Sequence, residues 1–193
     1  MLNPSKAWQI LHDAELIHSA EDVNQAILRL ALGITADYTE KNPLVLTVMN
    51  GGIMFAGQLL PLLRFPLSCD YVHASRYRNA IKGSELEWIA LPRESVQGRH
   101  VLLLDDILDE GYTLAAIKTK LLSLGAAHVA CAVLTNKHIN ANKPIQADYI
   151  GLDLPNRFVF GCGMDIFGAW RNLPAIYALK TGSVPDAYEQ PQP

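Results

Sequence analysis

Val101-Leu102-Leu103-Leu104-Asp105-Asp106-Ile107-Leu108-Asp109-Glu110-Gly111-Tyr112-Thr113-Leu114 is the stretch that decides the fold of this chain. Four consecutive aliphatic residues suit a strand buried on both faces, as in a parallel sheet covered by helices. Two adjacent carboxylates follow at the carboxyl end of that strand, and a Gly/Thr turn then opens the amphipathic segment 114–124, with Thr113 expected as its cap. The backbone N–H groups of residues 109–113 are thereby left to face an anion at a helix N-terminus. Carboxylates only accept hydrogen bonds, so Asp105 and Asp106 suit a pair of ribose hydroxyls while the turn holds a phosphate. The chemistry is that of a phosphorylated sugar. Without a ligand, the same residues read as an acidic strand-to-helix turn.

Outward from this stretch the pattern alternates. Ser19-Ala20-Glu21-Asp22 reads as a helix start, and Val23, Ile27, Leu30 and Ile34 return at helical spacing up to about Thr39. Residues 44–49 form a short β-rich run before Asn50-Gly51-Gly52; 53–63 read as a helix, and an extended segment, 67–74, follows Pro66. A polar stretch (75–85) and a short strand at 86–91 precede the quoted strand and helix, which lead into a strand at 127–134. Residues 148–152 and 158–160 are further short strands. Two β-α-β units of this kind predict an α/β fold with a doubly wound, mostly parallel sheet flanked by helices, its loops collecting at the carboxyl ends of the strands.

The whole chain narrows the function classes. Half of its 193 residues are apolar, enough for a core, and residues 1–182 read as one domain. Residues 183–193 carry three Pro, two Gln and no aliphatic after Val184, and read as a poorly ordered tail. No segment has the length of a membrane span, and the N-terminus lacks the basic and apolar regions of a signal peptide, so the expected location is cytoplasmic. Cys69, Cys131 and Cys162 are odd in number and far apart, which suits neither a disulfide framework nor a zinc site. A net charge of −3 with dispersed basic residues argues against nucleic acid as a partner. The six His residues show no ligand spacing and no nucleophile partner.

The quoted stretch resembles the phosphoribosyl-pyrophosphate (PRPP) signature of type I phosphoribosyltransferases: aliphatics, two acidic residues, two aliphatics, Asp, a variable residue, Gly and Thr. Four further places resemble the hypoxanthine-guanine branch of that family, so the resemblance covers roughly residues 44–174. It implies the type I fold with a small hood built from terminal segments. By the same resemblance Asp105, Asp106, Asp109, Glu110, Gly111, Tyr112 and Thr113 hold the ribose and 5′-phosphate, although Asp105 stands where the family more often has Glu. Met49-Asn50-Gly51-Gly52 matches the pyrophosphate loop, which often carries a non-proline cis peptide. Its usual basic residue is replaced by Asn50, so Asn50 offers amide donors and Gly51 a close backbone approach.

Residues 74–79 resemble the branch's mobile loop, with Arg76-Tyr77 in place of Ser-Tyr, and Arg76 is the candidate to replace the missing charge on pyrophosphate. Read as an ordinary polar stretch, Arg76 is solvated surface charge. Trp170-Arg171-Asn172-Leu173-Pro174 resembles the segment whose Arg reaches pyrophosphate. Lys137 falls where the branch donates to the purine 6-oxo group; an ammonium has donors only and so selects O6 over a 6-amino group. Phe158 would stack on the base, and the Val159 backbone would pair with its N1 and 2-position edge; as plain structure Phe158 is core. Mg²⁺ is the implied cofactor, with Asp105, Asp106 and Asp165 as its metal-binding residues. Asp109 is the catalytic candidate, managing a proton at N7 of the purine.

The resemblance thus implies purine salvage: PRPP and hypoxanthine or guanine give a nucleoside 5′-monophosphate and pyrophosphate, in a homo-oligomer, dimer or tetramer. The alternatives are a sister enzyme for xanthine or another base, and a regulatory PRPP-binding protein. The second should carry a nucleic-acid surface, which the mild negative charge does not supply.

Overall fold

The structure, a computed structural model, describes residues 2–76 and 86–180. Its elements in chain order are α1 (Pro4–Asp13), β1 (Glu15–His18), α2 (Ala20–Tyr38), β2 (Leu44–Met49), α3 (Ile53–Leu59), β3 (Ser68–Arg76), β4 (Leu86–Ala90), β5 (His100–Leu108), α4 (Tyr112–Ser123), β6 (His128–Lys137), β7 (Tyr149–Leu154), β8 (Val159–Phe160) and β9 (Ile176–Ala178). Six strands form the main sheet in the order β4-β3-β2-β5-β6-β7; only the edge strand β4 runs antiparallel. The expected doubly wound, mostly parallel sheet is what the chain builds.

The alternation of side chains along β5 explains the two layers. Leu102 and Leu104 face α2 and α3, packing with Val45, Ile27, Ile34, Phe55 and Leu59. Val101 and Leu103 face α4, packing with Leu44, Leu46, Leu114, Ile117 and Leu121. Both faces are dry, which is why the strand reads as a continuous aliphatic run. Helix α2 starts at a capping box: Ser19 Oγ accepts from Asp22 N–H (3.1 Å) and Asp22 Oδ2 accepts from Ser19 N–H (2.8 Å), a cap worth about 1 kcal/mol.

Several expected boundaries move. The helix expected over 53–63 stops at Leu59 and tightens into a 3₁₀ turn, Leu60–Leu62, because Pro61 has no N–H with which to continue the α ladder. Strand β5 does not end before its carboxylates but carries Asp105 and Asp106 within it, paired along β6 as far as Leu108. Strand β3 extends through Ser75 and Arg76, which the sequence places in a polar loop, since β4 pairs with that end of it (Arg76 opposite Leu86). The remainder of that loop, residues 77–85, and the tail 183–193 lie outside the described residues, as does the side chain of Arg76.

The hood is an antiparallel sheet, β1-β9-β8, covered by α1. Asn3 caps α1 by accepting from Lys6 N–H (2.8 Å), with Pro4 in the first turn. Ile10 then packs on Phe160 and Ile166, and Trp8 meets Trp170 edge-on at 4.9 Å. Val159, Ile176 and Ala178 join the core between the main sheet and α2, so the hood is rooted in the sheet it overhangs.

Candidate active site

Asp105 and Asp106 are buried polar residues in an otherwise aliphatic strand. Asp105 Oδ1 accepts from Asp106 N–H (3.0 Å), and the hydroxyl of Thr135 on β6 donates to Asp106 O (2.8 Å). Burial pushes both carboxyls above their ordinary values, and Asp105 further because the Asp106 charge adjoins it, while the Arg171 guanidinium acts in the opposite sense on both. Two desolvated carboxyls side by side form a site that gains from a cation or from hydroxyl donors.

Two glycines let the backbone close on Asp106. The Met49–Asn50 peptide is cis, as the resemblance implied for this loop, and a Cβ on Gly51 would collide with the Asp106 carboxylate. A Cβ on Gly163, whose φ is +106°, would strike the Gly51 carbonyl and lie 2.8 Å from Asp106 Cβ. Gly163 N–H donates to Arg171 O (2.9 Å) and its carbonyl accepts from Arg171 Nη1 (2.6 Å), so Arg171 is tied to the same cluster. Arg171 also pairs with Asp165, whose other oxygen accepts from Gly168 N–H (2.7 Å).

The turn after β5 differs from expectation in its cap. Thr113 lies inside α4, and the N-cap is Gly111 at φ +84°, with no side chain capping the helix. A positive φ favours glycine, and a residue without a side chain leaves the first-turn N–H groups uncapped, which suits an anion better than a hydroxyl cap would. A cavity of about 450 Å³ opens here, lined by Asn50, Gly51, Asp105, Asp106, Asp109, Glu110, Gly111, Thr113 and Arg171 among others. Nine of the residues singled out from sequence therefore share one cavity. Tyr112 is not among its lining and is exposed.

Lys137, Phe158 and Val159, expected to hold a base, are not among this lining. Lys137 ends β6 and its Nζ is 2.9 Å from Asp109 Oδ2, with Lys137 the more buried of the two. Val159 sits in β8, at the edge of the hood sheet. Leu179 N–H donates to Phe158 O (3.0 Å), so in an antiparallel ladder the next pair, Val159 and Ala178, is the non-hydrogen-bonded one. The N–H and C=O of Val159 consequently point away from β9. Phe158 is half-buried and stacks on Phe167 (6.5 Å between centroids, 21° between planes), giving it a packed side while it stands in the hood cluster.

A model of the phosphoribosyl transferase domain matches residues 13–166. The chain belongs to the phosphoribosyltransferase family. It is 31% identical over 180 residues to a hypoxanthine-guanine phosphoribosyltransferase of Bacillus subtilis, covering 92% of this chain and 98% of that protein. It is also 34% identical over 177 residues to the bifunctional protein TilS/HprT of Listeria innocua, covering 91% of this chain but spanning only 27% of that longer relative. Among solved structures, a hypoxanthine phosphoribosyltransferase of Staphylococcus aureus superposes with a TM-score of 0.85 at 29% identity, covering 94% of this chain and 98% of that one. The family expected from the signature and the branch expected from the four further places are borne out.

Three residues in or near the site escaped the sequence reading. Thr135 is a buried hydroxyl in an apolar strand, and that anomaly was its available signal. Gly163 was visible only as part of Gly161-Cys162-Gly163; its packing against Asp106 is a fold contact between segments far apart in sequence. Lys143, in the loop between β6 and β7, had no signal at all.

Proposed function

We propose that this protein transfers the 5-phosphoribosyl group of PRPP to a 6-oxopurine, hypoxanthine or guanine, releasing pyrophosphate and forming the nucleoside 5′-monophosphate. The observation that carries this reading is the Lys137–Asp109 pair, 2.9 Å apart at the ends of neighbouring strands and beside the phosphate turn. One edge of a 6-oxopurine presents O6 and N7 side by side. An ammonium donating to O6 next to a carboxylate accepting from an N7–H matches that edge and mismatches adenine. The Val159 main chain serves the opposite edge of the base and Phe158 its face.

In the transfer the bond from C1′ to pyrophosphate breaks, a bond from C1′ to the purine nitrogen forms, and the purine loses one proton, which Asp109 handles. The uncapped turn at Gly111 and Thr113 binds the 5′-phosphate, Asp105 and Asp106 orient the ribose, and Asn50, Gly51, Arg76 and Arg171 receive the pyrophosphate. The donor set suits Mg²⁺: buried oxygen ligands are present, and among the described residues no three His, Cys, Asp or Glu side chains form a cage, so water and substrate oxygens would complete the shell. Asp105 and Asp106 would hold the ion, with Asp165 acting through water. When bound, Mg²⁺ neutralises charge on the departing pyrophosphate. Among the described residues no helix is long and apolar enough to cross a membrane. By the resemblance to the hypoxanthine-guanine branch, we propose a cytoplasmic homo-oligomer.

The test is a steady-state assay with PRPP, Mg²⁺ and each of adenine, hypoxanthine, guanine and xanthine. Turnover of hypoxanthine or guanine is expected; turnover of xanthine alone, or of no base, defeats the reading. Lys137→Ala should raise KM for hypoxanthine with KM for PRPP unchanged, by the ten-fold or greater change of a lost charged hydrogen bond of about 1.5–3 kcal/mol. Unaltered base KM would remove Lys137 from the site. Arg76→Ala should weaken PRPP by roughly ten-fold, as expected of a charge-assisted contact that replaces the cation absent at Asn50. Wild-type PRPP kinetics would leave Arg76 as solvated charge. Asp105→Asn and Asp106→Asn should raise KM for PRPP together with the Mg²⁺ concentration needed for half-maximal rate; an unchanged Mg²⁺ requirement would dissociate the pair from the metal.

A further inference from the structure

Lys143 is a half-buried lysine in the loop between β6 and β7, outside the cavity that holds the phosphate turn. Its ammonium donates to Leu108 O (2.7 Å), Asn136 Oδ1 (2.8 Å) and Lys137 O (2.6 Å). An ammonium has three donors, and all three are spent on these oxygens. Leu108 immediately precedes Asp109, and Lys137 carries the other half of the pair proposed to read the purine. One cation therefore staples the end of β5 to the end of β6, at the backbone of Lys137 and of Leu108, the residue before Asp109.

The same loop presses on the phosphate turn through its apolar parts. A Cβ built on Gly111 would lie 3.1 Å from Ile145 Cγ2 and 3.5 Å from Lys143 Cβ. Without the ammonium, three oxygens would converge with no donor between them, and the two strand ends would part to reach water. Burial lowers the affinity of Lys143 for its proton, with the Lys137 charge acting in the same sense, while Asp109 and Asp153 act to retain it.

We propose that Lys143 is a positioning residue for base recognition, fixing Lys137 and Asp109 at the separation that matches O6 and N7 of the purine. The inference rests on the roles given above to Lys137 and Asp109. Because Lys143 Cβ and Ile145 support the phosphate turn independently of the ammonium, loss of the charge should fall on the base and spare PRPP.

Lys143→Met keeps a stem of similar length and removes the three donors. In the full chain, with circular dichroism confirming the fold, KM for hypoxanthine should rise about ten-fold or more and kcat should fall about ten-fold, while KM for PRPP moves less than about two-fold. The double variant Lys143→Met/Lys137→Ala should show no higher KM for hypoxanthine than Lys137→Ala alone, as expected for residues acting on that KM through one contact, while the kcat loss that runs through Asp109 persists. Unchanged hypoxanthine kinetics in Lys143→Met beside a defective Lys137→Ala overturns the positioning role and leaves the proposed activity standing. A silent Lys137→Ala overturns the base assignment and the positioning role with it. Additive rises in KM for hypoxanthine, or KM for PRPP rising in step with that for the base, reduce Lys143 to general structural support and also overturn the inference. If Lys143→Met does not fold, Lys143→Gln, which keeps two N–H donors, carries the same comparison with a smaller expected split.

Discussion

Replacing Asp109 by Asn is expected to lower kcat by about 10²- to 10⁴-fold with KM for PRPP nearly intact, the range for a lost general acid–base group. The substitution preserves size and hydrogen-bonding capacity but removes basicity. Asp109 leaves β5 one residue after the strand ends, and its Oδ2 is held 2.9 Å from Lys137 Nζ. The introduced amide oxygen would still accept from Lys137, so the geometry of the pair should survive and the loss should appear in the proton step. Steady-state kinetics with hypoxanthine, together with PRPP titration by calorimetry, separate the two. Full activity, or a defect confined to PRPP binding, would show that Asp109 only shapes the phosphate turn.

The parts of the molecule that the sequence exposes are those where one local cause dominates. Strand β5 was legible because burial on both faces demands aliphatics at every position, and Asp105 and Asp106 were legible as its anomaly. Their place within the strand was not, because strand length depends on β6 continuing beside them through Asn136. The cap of α4 was misread since a Thr at a helix start ordinarily caps it, whereas here a positive φ at Gly111 turns the chain earlier. Helix α1 carries a local start signal in Asn3-Pro4, but its packing partners do not. Strands β1 and β9 join residues 15–18 to 176–178, a pairing that no local pattern encodes. Lys143 is the extreme case: its role is set by three acceptors that converge only in the folded molecule.

Gly163→Ala is expected to lower kcat/KM for PRPP by about 100-fold, the cost of displacing site groups by about an ångström, and to reduce the melting temperature by several degrees. Two separate penalties act. At φ +106° a Cβ is strained, at a cost of about 1–3 kcal/mol, and packing a methyl between the Gly51 carbonyl and Asp106 Cβ adds about 1–3 kcal/mol of overpacking. Relief of that contact must move the Asn50-Gly51 loop, the Asp106 carboxylate or the Arg171 segment, since Gly163 is hydrogen-bonded to Arg171 in both directions. All three line the cavity at the turn after β5, where we propose that PRPP binds. Gly98→Ala supplies the control: its φ is +71° and nothing lies within 4 Å of the added methyl, so it should lose stability through backbone strain while PRPP kinetics stay within about two-fold of wild type. If Gly163→Ala matched Gly98→Ala in both measurements, the close approach of the two glycine loops to Asp106 would have no part in binding, and the cavity would tolerate a wider separation than its packing implies.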